Sequence, residues 1–190
     1  MSRKKFIFKK EKTQKKMTTA AHSYMSNNNN RFYMIVDIEA IICTEEKQIP
    51  MELGYIIADR FMHVCYSYYI DIKQSKKYKE LLKFCGKENK DLLDKGIEGY
   101  RKVCGEHKRI IKKGMYCSKW STVKTMILRL INDLCNKEVY AKGKTLEEKL
   151  LGIDYIQDLE IFGCPKYPLY PHNPKDECIY FYYQTFNKLI

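Results

Sequence analysis

The stretch Phe32-Tyr33-Met34-Ile35-Val36-Asp37-Ile38-Glu39-Ala40-Ile41-Ile42 decides the fold. Its apolar residues run almost without a break, and only Asp37 and Glu39 interrupt them. A run of this kind fits a central strand buried on both faces. Side chains alternate along a strand, so Asp37 and Glu39 point to the same face, about 7 Å apart. Two carboxylates placed there repel each other and lose hydration unless a cation or a basic partner sits beside them. Oxygen donors of this hardness suit Mg²⁺ or Mn²⁺. The plainer alternative pairs one acid with a lysine and leaves the other exposed at the strand end.

On the C-terminal side, a polar turn at 44–48 leads into two further strands, Met51 to Arg60 and Met62 to Ile72, rich in Tyr, Ile and Val. Their short connection at Asp59 to Phe61 predicts a hairpin. Apolar residues at three- and four-residue spacing then predict helices over Lys77 to Phe84, Asn89 to Val103 and Thr122 to Leu134. A short strand at Val139 to Ala141, a helix at Leu146 to Leu151, a short strand near Ile156 to Leu159, a Pro-rich loop from Pro165 to Pro174 and a last helix from Asp176 complete the order. Hairpin strands followed by alternating helices and strands describe an α/β fold with a mixed sheet flanked by helices. Right-handed crossovers bring the late strands beside the first, which places Asp37 and Glu39 near the sheet centre.

On the N-terminal side the character is different. Residues 1–30 show no apolar periodicity and read as a basic disordered arm preceding one domain over 31–190. Eight basic residues against Glu11 alone fall in the first sixteen positions, a large share of the formal net charge of +12. Such a segment repels itself until a polyanion neutralises it. Nucleic acid, DNA or RNA, is the foremost partner; a nuclear-import signal and a solubilising tail are the other readings. No apolar run reaches the roughly 18 residues of a membrane span, and none at the N-terminus has signal-peptide character. The expectation is a soluble intracellular protein, nuclear or cytoplasmic, with no membrane partner. At 45% hydrophobic residues and 190 residues in length, one packed core is expected and a wholly disordered or fibrous chain is excluded.

The eight cysteines are scattered singly, without a Cys-x-x-Cys pair, and read as separate reduced thiols. Two sets come nearest to a zinc pattern: Cys85, Cys104, His107 and Cys117, and the looser Cys164, His172 and Cys178. Burial of individual thiols is the preferred reading of both.

Beyond the first strand, Val36-Asp37-Ile38-Glu39 followed by Ile49-Pro50-Met51-Glu52-Leu53-Gly54 resembles the first motif of the DnaQ-like, DEDDh-type 3′–5′ exonucleases of the ribonuclease-H-like fold. In that family an Asp-x-Glu on the first strand binds two metals, and a neighbouring strand carries an acid and then a small residue. Val139 to Glu147 resembles the second motif, with Gly143 where Asn is usual, Leu146 for Phe and Glu147 for Asp. Asp158-Leu159 resembles a short strand that usually begins Asp-Thr. His172 and Glu177 have the spacing of the closing motif, Cys178 stands where Ala is common, and Asp176 lies one residue early. The Lys, Asn, Ile and Tyr bias is that of an AT-rich genome, and divergent relatives of this kind occur in viral and mobile-element genomes.

The resemblance implies a ribonuclease-H-like sheet of three antiparallel strands and then two parallel ones. It implies that Asp37, Glu39, Glu147 and either Glu177 or Asp176 hold two Mg²⁺ or Mn²⁺ ions, and that His172 handles the proton of the attacking water. A member with an inactive site, kept as a nucleic-acid-binding or assembly protein, is the alternative. Glu147 and Glu177 also have a plainer role as first-turn acids favoured by the helix dipole.

Overall fold

The computed structural model of the chain describes residues 32–59, 63–72, 77–105 and 116–186. The basic arm expected over residues 1–30 lies outside them. Strand β1 (Phe32–Ile42) occupies the middle of a six-stranded sheet, with β2 (Gln48–Asp59) and β3 (Val64–Ile72) on one side. On its other side lie β5 (Val139–Ala141) and β6 (Gln157–Asp158), and β4 (Tyr116–Ser118) forms the far edge, giving the order β4-β3-β2-β1-β5-β6. The β1–β2 and β2–β3 pairs are antiparallel, while β5 runs parallel to β1 and β6 parallel to β5. This is the mixed α/β sheet expected from the order of elements. Strand β4, parallel to β3, is an addition.

Helices α1 (Tyr78–Cys85), α2 (Lys90–Cys104), α3 (Trp120–Asp133), α4 (Thr145–Leu151) and α5 (Pro174–Thr185) flank the sheet. Val123, Ile127 and Ile131 form the buried stripe of α3, at the spacing that predicted it. Helix α5 begins two residues earlier than expected. Asn173 caps it by accepting the N–H groups of Lys175 and Asp176, and Pro174 fills the first helical position, where its missing N–H costs nothing. The strand expected to run to Leu159 stops at Asp158, because that side chain accepts the Glu160 N–H and turns the chain into a 3-10 turn over Leu159–Phe162.

Two clusters of buried residues lie closest to the site. Tyr33, Ile35, Ile56 and Tyr140 meet Phe181 and Tyr182 of α5. Ile41, Ile49 and Met51 meet Leu81, Leu93 and Tyr100 of α1 and α2. Tyr182, at 2% exposure, is core packing rather than a base-stacking surface. One expectation is corrected: Cys43 and Cys85 are joined in a disulfide, with Cα atoms 6.5 Å apart. Both lie in the second cluster, where the end of β1 meets the end of α1, a proximity that a separation of 42 positions conceals in the sequence. Cys104, Cys135, Cys164 and Cys178 are separate buried thiols as expected, and Cys65 is exposed.

No helix among the described residues is long and apolar enough to cross a membrane.

Candidate functional site

The site grows from one pairing in the sheet. Asp37 in β1 lies directly opposite Gly54 in β2. On the face that carries Tyr33, Ile35, Asp37 and Glu39, Gly54 leaves a place without a side chain. The N-terminus of α5 occupies it: a Cβ on Gly54 would collide with the backbone of Pro174 and Lys175. The Cys178 thiol, fully buried, reaches the Gly54 carbonyl at 3.5 Å. The first turn of α5 therefore sits on the sheet beside Asp37, and Glu177 comes with it.

Glu147 arrives from the other side. It stands in the first turn of α4, 3% exposed, and its Oε1 accepts the Ile38 N–H at 3.1 Å, between the two acids of β1. The turn before α4 is fixed by Asp158, whose Oδ1 accepts the Gly143 N–H at 3.1 Å and the Glu160 N–H at 2.9 Å. Gly143 has φ +66°, a conformation that glycine adopts without penalty. Asp158 is thus a positioning group for the Glu147 helix.

Just past Glu39 the β1–β2 register slips between Glu39 and Ala40, with Pro50 facing Ala40. A bulge is where a proline, lacking an N–H, is tolerated inside a sheet, and it re-aims the side chains next to it. His172 enters from the loop before α5. Its Nδ1 lies 3.1 Å from Glu177 Oε1 and 3.7 Å from Glu39 Oε1, and its ring takes an edge contact from Tyr167, centroids 5.6 Å apart. One donor atom from each of Glu39, His172 and Glu177 lies within 4.8 Å of the others, close enough for a single ion to touch all three.

The electrostatics follow from this crowding. Burial, and then the charges of Glu177, Glu39, Glu147 and Glu52, push the Asp37 carboxyl well above the ordinary aspartate value. Burial pushes Glu147 up to about 8 against the pull of the N–H groups of Ile38 and of its own backbone, with the charges of Glu39 and Asp158 adding to the rise. Burial and the neighbouring Asp37, Glu177 and Glu147 likewise raise the Cys178 thiol. Among the described residues, Asp37 Oδ2 and Glu147 Oε2 are buried with no hydrogen-bond partner. Buried carboxylate oxygens in that condition are costly, and a cation is the simplest relief. Hard oxygens together with one imidazole fit a divalent ion of the magnesium or manganese type.

Asp37, Glu39, Glu147, His172 and Glu177 are therefore brought together. Asp176 is not: it is exposed, and Glu177 is the acid of that pair that turns inward. In the first zinc-like set, Cys85 is held in the disulfide, Cys104 is buried in the α1–α2 cluster and His107 lies outside the described residues.

A groove of about 470 Å³ opens beside Glu39, lined by Ile42, Leu92, Gly96, Gly99, Val103 and Leu146 among others. A methyl on Gly96 would strike the Ile42 carbonyl, so the helix lies directly on the strand there. Two glycines three apart in a helix cost roughly 1 kcal/mol each relative to alanine. That cost is the one local mark the groove leaves in the sequence.

No family model matches the sequence, and no curated protein matches it.

Proposed function

We propose that this chain is a divalent-metal-dependent 3′–5′ exonuclease of the ribonuclease-H-like, DEDDh type, acting on nucleic-acid phosphodiesters. The observation that carries the reading is the convergence of Asp37, Glu39, Glu147 and Glu177 with His172, from a central strand, the start of α4 and the start of α5. The strand order lends support. Apart from the short β4, three antiparallel strands are extended by two parallel ones on the far side of the acid-bearing strand, as the family resemblance implies.

In this reading Asp37, Glu39, Glu147 and Glu177 hold two ions. Bound Mg²⁺ or Mn²⁺ would generate the hydroxide nucleophile and stabilise the leaving 3′ oxygen. Glu39 and Glu177 orient His172 through Nδ1, so that Nε2 is the nitrogen that takes a proton from water. The basic arm adds affinity for phosphates that does not depend on sequence.

The second reading, a nucleic-acid-binding or assembly protein that keeps the fold without hydrolysis, rests on Glu147 and Glu177 standing where the family resemblance places shorter acids. One experiment separates the two. Single-stranded DNA and RNA oligonucleotides labelled at the 5′ end are incubated with the purified protein in Mg²⁺ or Mn²⁺. A ladder shortening from the 3′ end, with release of 5′-monophosphates and loss of both in Asp37→Asn, is the expected result. Tight metal and oligonucleotide binding without any ladder favours the second reading.

A further inference from the structure

His172 sits in a loop that little apolar burial holds in place. Leu169 and Tyr170 are 62% and 65% exposed, and no regular structure spans 163–173. Yet the side chain must be placed to within a fraction of an ångström if it is to serve the carboxylates around it. What holds the backbone is the end of α2. The His172 N–H donates to the Val103 carbonyl at 3.0 Å, and the Tyr170 hydroxyl donates to the Arg101 carbonyl at 3.2 Å. Both acceptors belong to the last turn of a helix, where the Val103 carbonyl is past the reach of the helix's own N–H groups and the Arg101 carbonyl has a second lone pair to offer. Gly105, at φ +76°, ends α2 by donating its own N–H to Arg101. A Cβ at that position would lie 3.3 Å from Cβ of Pro171, so the missing side chain lets the loop settle onto the helix end.

From this geometry we infer that Tyr170 and the last turn of α2 form the positioning device for His172. Two pins fix the loop to carbonyls of α2, and Glu39 and Glu177 then fix the ring. Neither Tyr170 nor Gly105 touches the carboxylate cluster; both act through His172. The proposal rests on the exonuclease reading only for its catalytic consequence, since the placement of His172 can be read without turnover.

The test uses the full chain and two variants, Tyr170→Phe, which removes one hydroxyl, and Gly105→Ala, which drives a methyl against Pro171. His172 ring signals are followed by NMR at fixed pH and assigned with His172→Gln. Hydrolysis of a labelled oligonucleotide is measured in parallel. A net hydrogen bond of ordinary strength corresponds to a factor of about two to ten. Tyr170→Phe should therefore shift or broaden the His172 signals and lower kcat about two- to tenfold, with KM and Tm unchanged, and Gly105→Ala should move the signals further. Unchanged His172 signals in both variants overturn the positioning role, whatever the enzyme does. Signals that move in a protein with no hydrolysis in any metal support the positioning role and sink the exonuclease reading.

Discussion

Replacing Glu147 with glutamine should stabilise the metal-free protein, and the gain should grow with pH. Glu147 is nearly sealed from solvent, with Oε1 on the Ile38 N–H and Oε2 without a partner among the described residues. Its carboxyl is pushed from 4.5 to about 8 by burial. The folded value exceeds the unfolded one, so the folded protein keeps a proton that the unfolded chain releases. The stability from this group is fully present below pH 4.5 and is lost as pH rises towards 8. The shift costs the ionisable side chain about 3 kcal/mol at pH 7 relative to a neutral amide of the same shape. For a domain of this size, that corresponds to roughly 6 to 12 °C in Tm. The amide can still accept from Ile38, so no hydrogen bond is given up. Thermal unfolding in EDTA at pH 5, 7 and 8.5 should show the variant above the wild type at pH 7, with the gap closing towards acid. Added Mn²⁺ should raise the wild type more than the variant. A variant that melts below the wild type at pH 7 without metal would show that the carboxylate is a net stabiliser and that the crowding argument is wrong.

Three further outcomes follow from the same structure. Gly54→Ala sets a methyl against the Pro174–Lys175 backbone and should cost about 1 to 3 kcal/mol by calorimetry, while weakening metal binding by lifting Glu177 from Asp37. Glu147→Asp withdraws the carboxylate by roughly 1.5 Å; hydrolysis should stay measurable and run faster in Mn²⁺ than in Mg²⁺, since Mg²⁺ demands near-ideal octahedral geometry. Equal rates in the two ions would contradict that ranking. Deleting residues 1–30 should flatten the salt dependence of oligonucleotide binding by a slope on the order of 5 for single strands and leave Tm unmoved; an unchanged slope would show that the arm stays off the phosphates.

Helices α1 to α3 were legible from their three- and four-residue period, and the three long strands from their apolar and Tyr-, Ile- and Val-rich runs. The β1 run announced a buried strand, and Val123, Ile127 and Ile131 announced the inner face of α3. The convergence of carboxylates was legible only through family resemblance. Nothing local in Glu147 separates a ligand from a first-turn acid, and Asp176 and Glu177 are equally plausible until the cap at Asn173 fixes the phase of α5. Burial then chooses Glu177. Contacts that hold the site in shape were illegible for another reason. Asp158 on Gly143, Tyr170 on Arg101 and the Cys43–Cys85 bond all join positions far apart in the chain, where no spacing rule applies.

The seat of α5 on Gly54 carries a consequence for folding order. Cys178 meets Gly54 across 124 positions and Glu147 meets Ile38 across 109, so the cluster closes only through contacts of long range in the chain. Loop-closure entropy makes such contacts late. A nascent or partly folded chain carries the hairpin of β1 and β2 with Asp37 and Glu39 in place, yet has no Glu177 to complete them. Detachment of α5 alone, which leaves the pairing of the long strands whole, would take Glu177 out of the cluster. Hydrogen exchange in α5, rather than global melting, is then the quantity that should track competence of the site.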